Sequence, residues 1–240
     1  MEDQGPRLNE DIQTLLEGLA QAGSPRMAFL RRTPTGIPEG GGTLLCLSAS
    51  FNPLTLAHER LVREGARIAP PDEILLLLAL ANVDKGIAGF PLADRLRFLL
   101  AYAENRPKLS VAAVSHGRFV DKARAIRPLV PPQTRLAFIL GFDTLVRLFD
   151  PRYYRDMEGE LAELFAAAEV LAANRAPETP EAVAAFLHRR EVRPFRDRIH
   201  LLRLPADIAS ISATAVRRRL ARGESAADLV PPEILPLLGR

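Results

Sequence analysis

One segment near residue 50 combines residue types that can hold a phosphate group. It reads Ser50-Phe-Asn-Pro-Leu-Thr-Leu-Ala-His58, and it lies between an apolar run, residues 43–48, and an amphipathic stretch. We expect a strand, a loop and a helix in succession. The N–H groups at the start of such a helix attract anions, and the imidazole of His58 can donate a hydrogen bond to a phosphate oxygen or carry positive charge. The simpler interpretation is that Thr55 caps the helix and His58 is incidental.

A second segment near the end of the chain has the same physical character. It reads Ile211-Ser-Ala-Thr-Ala-Val-Arg217, after a predicted strand and at the start of a predicted helix. Ser212 can cap that helix, and its exposed N–H groups make a second anion site. Arg217 can bind phosphate oxygens in a bidentate manner. Taken alone, this segment is equally typical of a capped basic helix on the surface.

The elements that must position these two segments follow from the alternation of apolar runs and amphipathic stretches. Strands are predicted at residues 43–48, 73–81, 109–114, 135–140, 170–173 and 199–204. Helices are predicted at residues 8–23, 55–68, 91–104, 119–129, from 143, 160–168, 180–190, 213–222 and 231–238. Strands alternating with helices indicate an α/β protein with a doubly wound parallel sheet and helices on both faces. Ligands bind such sheets at the carboxyl ends of the strands, which is where both segments fall.

The first part of the chain differs from the rest. Residues 8–23 have the apolar spacing of an amphipathic helix, and the Pro- and Gly-rich stretch at residues 33–42 is typical of a loop. We therefore expect residues 1–40 to form a helical extension with a linker, and residues 41–240 to form the main domain.

Composition excludes several classes of protein. The 240 residues carry a net charge of only +3, which favours a mixed, solvated surface over a nucleic-acid-binding face. A single cysteine, Cys46, cannot form a disulfide within the chain and is expected to pack in the core. The first residues lack the pattern of a signal peptide, and the longest apolar run, residues 74–81, is too short to span a membrane. We expect a cytoplasmic protein that does not bind membranes.

Together, the two segments resemble the paired signatures of the nucleotidylyltransferase superfamily. SFNPLTLAH is similar to the GxFxPxHxGH pattern, with Thr55 at the first histidine and His58 at the second, and ISATAVR is similar to ISSTxxR. The resemblance is strongest to nicotinamide and nicotinate mononucleotide adenylyltransferases, including a fungal-type adenylyltransferase-like branch. Ala49 and Ala213 depart from the usual glycine and serine. The resemblance implies a Rossmann-like fold with a small helical C-terminal part, and makes residues 41–240 the nucleotidylyltransferase domain.

The resemblance also implies roles for individual residues. The residues expected to contact ATP are Ser50, Phe51, Thr55, His58, Gly141, Asp143, Arg175, Ser212, Thr214 and Arg217. Those expected to contact the mononucleotide are Ser50, Lys85, Tyr154 and Phe119, with Tyr154 where the family places an aromatic residue over the nicotinamide ring. Catalysis is expected to depend on His58, Lys85 and Arg217. Simpler interpretations stay open: a solvated Lys85, an N-cap role for Asp143, and a packing role for Tyr153 and Tyr154.

The implied reaction is transfer of AMP from ATP to a mononucleotide, with release of pyrophosphate. Mg²⁺ would enter with the ATP phosphates, so we expect no metal site built from protein ligands. The implied partners are ATP and a mononucleotide, without nucleic acid, and a homo-oligomer is compatible with the sequence. Three alternatives stay open: another phosphorylated acceptor, such as phosphopantetheine or a cytidylyltransferase substrate; an inactive nucleotide-binding regulatory protein; and an RNA-binding protein that uses the arginines.

Overall fold

Seven strands form one sheet in the computed structural model, which describes residues 5–80, 89–174 and 178–239, with side chains from residue 8 onward. The strand order is β1-β4-β3-β2-β5-β6-β7, and all neighbours are parallel except β1 and β4. The strands are β1 Met27–Arg31, β2 Thr43–Ala49, β3 Glu73–Ala79, β4 Leu109–Val114, β5 Arg135–Gly141, β6 Glu169–Ala173 and β7 Ile199–Leu202. The predicted α/β doubly wound class is confirmed.

Helices connect the strands. The α-helices are α1 Gly5–Ala20, α2 Leu56–Ile68, α3 Leu92–Ala103, α4 Phe119–Ile126, α5 Phe142–Leu148, α6 Met157–Ala167, α7 Pro180–Phe186, α8 Ala206–Ala209 and α9 Ala213–Ala221. Short 3₁₀ helices occur at Arg127–Leu129, Pro151–Tyr153, Arg193–Arg198 and Pro232–Leu237. The predicted helix at 231–238 is thus a 3₁₀ helix, because its prolines remove N–H donors that an α-helix needs.

The order of the strands reverses at β2. The chain runs outward from β2 through β3 to β4, and then returns to place β5 on the other side of β2. This point, between β2 and β5, is where the diverging connections leave a crevice at the carboxyl ends of the strands. The segment that contains Ser50 and His58 leaves β2 directly into that crevice.

The sheet separates two hydrophobic clusters. Alternate residues of β2 point to opposite sides, so that Leu45 and Leu47 join one cluster while Leu44 and Cys46 join the other. Helices α1, α2, α3 and α9 pack on the first side, and α4, α5, α6 and α7 pack on the second. Cys46 is fully buried, as predicted, and burial raises the pKa of its thiol far above the ordinary value.

Strand β1 was missed by the sequence analysis, which assigned the chain before residue 40 to a helix and a loop. It pairs antiparallel with β4, with an irregularity between Phe29 and Arg31. Its sequence, MAFLR, is four apolar residues followed by an arginine, so it lacks the alternation of apolar and polar residues that marks a half-buried strand. The guanidinium of Arg31 donates to the carbonyl of Leu109, and Ser115 N–H donates to the carbonyl of Arg26 at 3.0 Å.

Gly65 marks the closest approach of α2 to the sheet. A Cβ atom placed there would lie 2.8 Å from Cδ1 of Ile139 in β5. We expect Gly65→Val to lower the free energy of unfolding by about 1–3 kcal/mol, because the extra atoms overfill a packed interface. Urea denaturation would measure the change. Gly18→Val is the matched control, since Gly18 is exposed in α1 with no atom within 4 Å of its Cβ position; equal losses at both sites would contradict this packing argument.

Candidate active site

The helix that follows the first segment begins with an unusual capping arrangement. Thr55 is the N-cap of α2, and its backbone N–H donates to Nδ1 of His58 at 3.0 Å. The hydroxyl of Thr55 lies 2.8 Å from the same nitrogen. A backbone N–H can donate only to a ring nitrogen that carries no hydrogen, so the hydrogen of the neutral ring sits on Nε2. Thr55 therefore does cap the helix, and in doing so it orients His58 and sets its tautomer.

A buried arginine supports the loop before α2. Arg95 in α3 is only 1% exposed, and its guanidinium donates to the carbonyls of Phe90 at 2.7 Å and Ser50 at 3.4 Å. Its Nη2 atom is buried and has no hydrogen-bond partner among the described residues. Burial and the nearby charge of Arg217 lower the pKa of Arg95. The structure thus places Arg95 in the interior, where it supports the loop.

The second segment reaches the same loop through Arg217. Ser212 caps α9, accepting from Ala215 N–H at 3.1 Å, as predicted. One turn later, Arg217 donates to the carbonyl of Asn52 at 2.6 Å and contacts the Thr214 hydroxyl at 3.3 Å. Gly89 packs against both partners, and a Cβ there would lie 2.6 Å from Asn52 Oδ1 and 2.7 Å from Arg217 Cδ. Two segments separated by more than 150 residues thus form one unit.

A cavity of about 350 Å³ opens above the carboxyl ends of the strands. Its size suits a small ligand or part of a larger one. The predicted site residues that line it are Ser50, Thr55, His58, Phe119, Gly141, Asp143, Tyr154 and Ser212. Three predicted residues lie outside this lining: Phe51 is buried in the core, Thr214 is exposed, and Arg217 supports the loop. Lys85 and Arg175 lie outside the described residues, so their predicted roles stay predictions.

Asp143 stands on the β5–α5 side of the cavity. It is exposed and occupies the first turn of α5, where Gly141 is the N-cap. The suggested N-cap role for Asp143 is therefore wrong, because the helix begins one residue earlier than expected, at Phe142. A carboxylate in this position is able to accept hydrogen bonds from ribose hydroxyls.

Aromatic residues and a lysine form the wall on the α4 side. The ammonium of Lys122 lies 4.1 Å from the centre of the Phe119 ring, and the residue is 5% exposed. Tyr154 is half-buried, and its hydroxyl donates to the carbonyl of Leu148 at 2.6 Å. Burial raises the pKa of Tyr154 and lowers that of Lys122 to about 8. The sequence analysis missed Lys122, because a single lysine on an amphipathic helix carries no signal of burial.

The described residues show neither a metal-binding cluster nor a membrane-spanning helix. Within them, no three His, Cys, Asp or Glu side chains converge in a way that would hold a metal ion. In the same ranges, no helix combines the length and apolarity needed to cross a membrane.

Two helix starts that meet above the switch point of a parallel sheet define a nucleotide-binding α/β protein. No protein-family profile matches the chain. A curated relative from Bordetella petrii, "Probable nicotinate-nucleotide adenylyltransferase", is 30% identical over 81% of this chain and 94% of its own length. One from Schizosaccharomyces pombe, "Putative nicotinamide mononucleotide adenylyltransferase", is 28% identical over 80% of this chain and 82% of its own length. The chain belongs to the nicotinamide and nicotinate mononucleotide adenylyltransferase family, and the expected resemblance, including its fungal side, is confirmed.

Solved structures support the fold independently. Nicotinic acid mononucleotide adenylyltransferase from Plasmodium falciparum, complexed with NaAD, superposes with a TM-score of 0.60 at 17% identity. The match covers 82% of this chain and 94% of the Plasmodium chain. At this identity the likeness concerns the fold, and it confirms the Rossmann-like architecture. The protein is a nucleotidyltransferase.

The buried ammonium of Lys122 generates a prediction about stability. Its pKa is about 8 in the folded protein, against 10.5 for an exposed lysine. The unfolded chain binds more protons between these values, so the free energy of unfolding rises with pH across that window. We expect Lys122→Met to be more stable than the wild type at pH 7 by about 1–3 kcal/mol, and the difference to shrink between pH 8 and pH 10.5.

Urea denaturation of both proteins at a series of pH values would measure this difference. Lys108→Met is the control, because Lys108 is exposed and its ammonium only touches the carbonyl of Pro71 at 2.9 Å. A difference between wild type and Lys122→Met that stays constant from pH 7 to pH 10.5 would contradict the depressed pKa.

Proposed function

We propose that this protein transfers AMP from ATP to nicotinamide or nicotinate mononucleotide, giving NAD or its deamido form and pyrophosphate. The observation that carries the proposal is that the starts of α2 and α9 line one cavity at the strand-order reversal, with His58 and Ser212 on its wall. Helix starts attract phosphate through the helix dipole and N–H groups, and at α2 the dipole matters more, because the N–H of Leu56 already donates to the carbonyl of Leu229 at 2.9 Å. Family membership supports the same reaction.

The chemistry needs positioning more than acid–base catalysis. The 5′-phosphate of the mononucleotide attacks the α-phosphorus of ATP in line, and the bond to pyrophosphate breaks. A phosphate is already ionised at neutral pH, so no general base is required. The hydrogen on Nε2 of His58 would donate to a phosphate oxygen, and that bond strengthens as negative charge moves toward the leaving group. Arg217, held against the Asn52 carbonyl, would fix the loop between the two helix starts.

The other proposed contacts with the substrates lie at the rim of the cavity. Asp143 would accept from a ribose, and Tyr154 or Phe119 would stack on the nicotinamide ring, since both line the wall. Lys85, Arg175 and Thr214 keep their predicted roles at the phosphates, and Ser50 and Phe51 their backbone contacts. Mg²⁺ would be held through the ATP phosphates and would supply charge neutralisation there.

The proposal extends to the location and the partners of the enzyme. We propose that it acts in the cytoplasm and that its reaction involves no nucleic acid. A homo-oligomer is compatible with this proposal.

The first test is a pyrophosphate-release assay with ATP and a panel of acceptors. Turnover with nicotinamide or nicotinate mononucleotide, and none with phosphopantetheine or phosphorylated alcohols, is the expected result. Turnover with a different acceptor alone would show that this acceptor, and not a nicotinamide or nicotinate mononucleotide, is the substrate. ATP binding without turnover of any acceptor would favour the regulatory alternative, for which Ala49 and Ala213 are the relevant departures from the family signatures.

The second test removes the imidazole. We expect His58→Ala to lower kcat about 100-fold or more, because a transition-state hydrogen bond is lost in a confined site. Circular dichroism should show an unchanged fold. His188→Ala is the control, since His188 is exposed just beyond α7 and does not line the cavity. Unchanged kcat in folded His58→Ala would refute the proposed role of His58.

A further inference from the structure

We propose that Lys122 reads the substituent on the pyridine ring of the acceptor, and that the protein therefore prefers nicotinate over nicotinamide mononucleotide. This inference rests on the proposed function and names the acceptor within it. Lys122 was not among the residues that the sequence pointed to, and neither the signatures nor the relatives assign it a role.

The first argument is the state of the ammonium group. Lys122 is 5% exposed, yet among the described residues no oxygen accepts a hydrogen bond from its ammonium, which lies 4.1 Å from the centre of the Phe119 ring. Keeping a lysine this buried without an acceptor from the protein lowers stability. A charge kept in this state at the wall of a ligand cavity indicates that the ligand supplies the missing acceptor.

The second argument is that the nearby carboxylate is already engaged. Asp121, adjacent in the chain, accepts from Arg118 at 2.8 Å and from Arg124 at 3.2 Å. Arg118 also binds Glu160 at 2.6 Å. The other charged group that acts on Lys122 is Arg147, which repels it, and Arg147 also lines the cavity. Because Asp121 is shared between two arginines, the Lys122 ammonium at the cavity wall can bind an anionic group of a ligand.

The third argument is location. The groups that suit phosphates, His58 and Ser212, belong to α2 and α9, which pack on one side of the sheet. Lys122 and Phe119 belong to α4 on the other side, and Tyr154 packs against the same cluster. A mononucleotide whose phosphate lies at α2 extends its ring toward α4, between aromatic side chains that suit a flat ring.

A carboxylate on that ring would form a charge-assisted hydrogen bond with Lys122, whereas a carboxamide would offer only a neutral oxygen. Hydrogen bonds between charged groups are stronger and shorter than neutral ones. The difference is enlarged where water is excluded, because the ammonium has no alternative partner there. The predicted preference follows from the charge of the substituent, since the two rings have nearly the same shape.

The test compares the two acceptors in the full-length enzyme. We expect kcat/KM for nicotinate mononucleotide to exceed that for nicotinamide mononucleotide by roughly tenfold or more, as charged and neutral hydrogen bonds differ by about this factor. In Lys122→Met this ratio should fall to near one. Lys122→Gln, which keeps a donor but no charge, should give a ratio close to that of Lys122→Met. Lys108→Met, far from the cavity, should keep the wild-type ratio.

Three outcomes would overturn the assignment. If the wild-type ratio of kcat/KM for nicotinate over nicotinamide mononucleotide is one or less, the predicted preference is wrong. If Lys122→Met lowers kcat/KM equally for both acceptors, the ammonium contacts the phosphate that both substrates carry, and not the ring substituent. An unchanged ratio in both folded Lys122 variants assigns the lysine no part in recognition. Thermal unfolding of each variant verifies the fold.

A binding measurement that needs no turnover distinguishes failure of the proposed function from failure of the role assigned to Lys122. Calorimetry compares deamido-NAD with NAD on wild type and on Lys122→Met. If neither acceptor is turned over, the proposed reaction is wrong, but tighter binding of deamido-NAD that disappears in Lys122→Met would still support the role of Lys122. Equal binding of the two dinucleotides by wild type would refute it.

Discussion

The hydrogen bond from Arg217 to the carbonyl of Asn52, 2.6 Å long, joins two parts of the chain on which the whole site depends. It ties α9 to the loop that leads into α2, so that two helix starts face one cavity. The arrangement concentrates positive charge, because Arg95 lies beneath the same loop and its pKa is lowered partly by Arg217. Gly89 permits this close approach, since any side chain there would collide with Asn52 and Arg217. The loop is thus held by contacts from both Arg95 and Arg217, which suits a positioning mechanism.

The two sides of the sheet contribute different kinds of side chains to the cavity. On the side of α2 and α9, the two helix starts and His58 would face the phosphates in the proposed reaction. On the side of α4, Phe119, Tyr154 and Lys122 offer flat surfaces and one buried charge. A dinucleotide product has its phosphates at the centre and a ring at either end, so a crevice that crosses the sheet edge suits its shape. The capping bond from Thr55 to His58 links helix formation to this function, because the interaction that starts α2 also directs its imidazole.

Much of the fold was predictable because the relevant signals are local. The central strands are continuous apolar runs, as expected for strands buried on both faces, and their predicted bounds agree with the structure within a few residues. β1 was not predictable in this way, since its five half-buried residues become a strand only by pairing with β4. Of the candidate site, the helix starts at Thr55 and Ser212 were found from sequence, whereas the N-cap role left open for Asp143 is wrong, because Gly141 is the N-cap of α5.

The sequence by itself determined a mostly parallel sheet with two capped helix starts at the carboxyl ends of its strands, and it indicated the family through the two signature segments. These properties depend on the order of residues within short stretches, where periodicity and capping act. The tertiary structure decided which side chains share the cavity and which charges are buried. Arg95, Lys122 and the bond between Arg217 and Asn52 owe their roles to packing between distant segments, and burial changes the energy of a charge by an amount that its neighbours in sequence do not reveal.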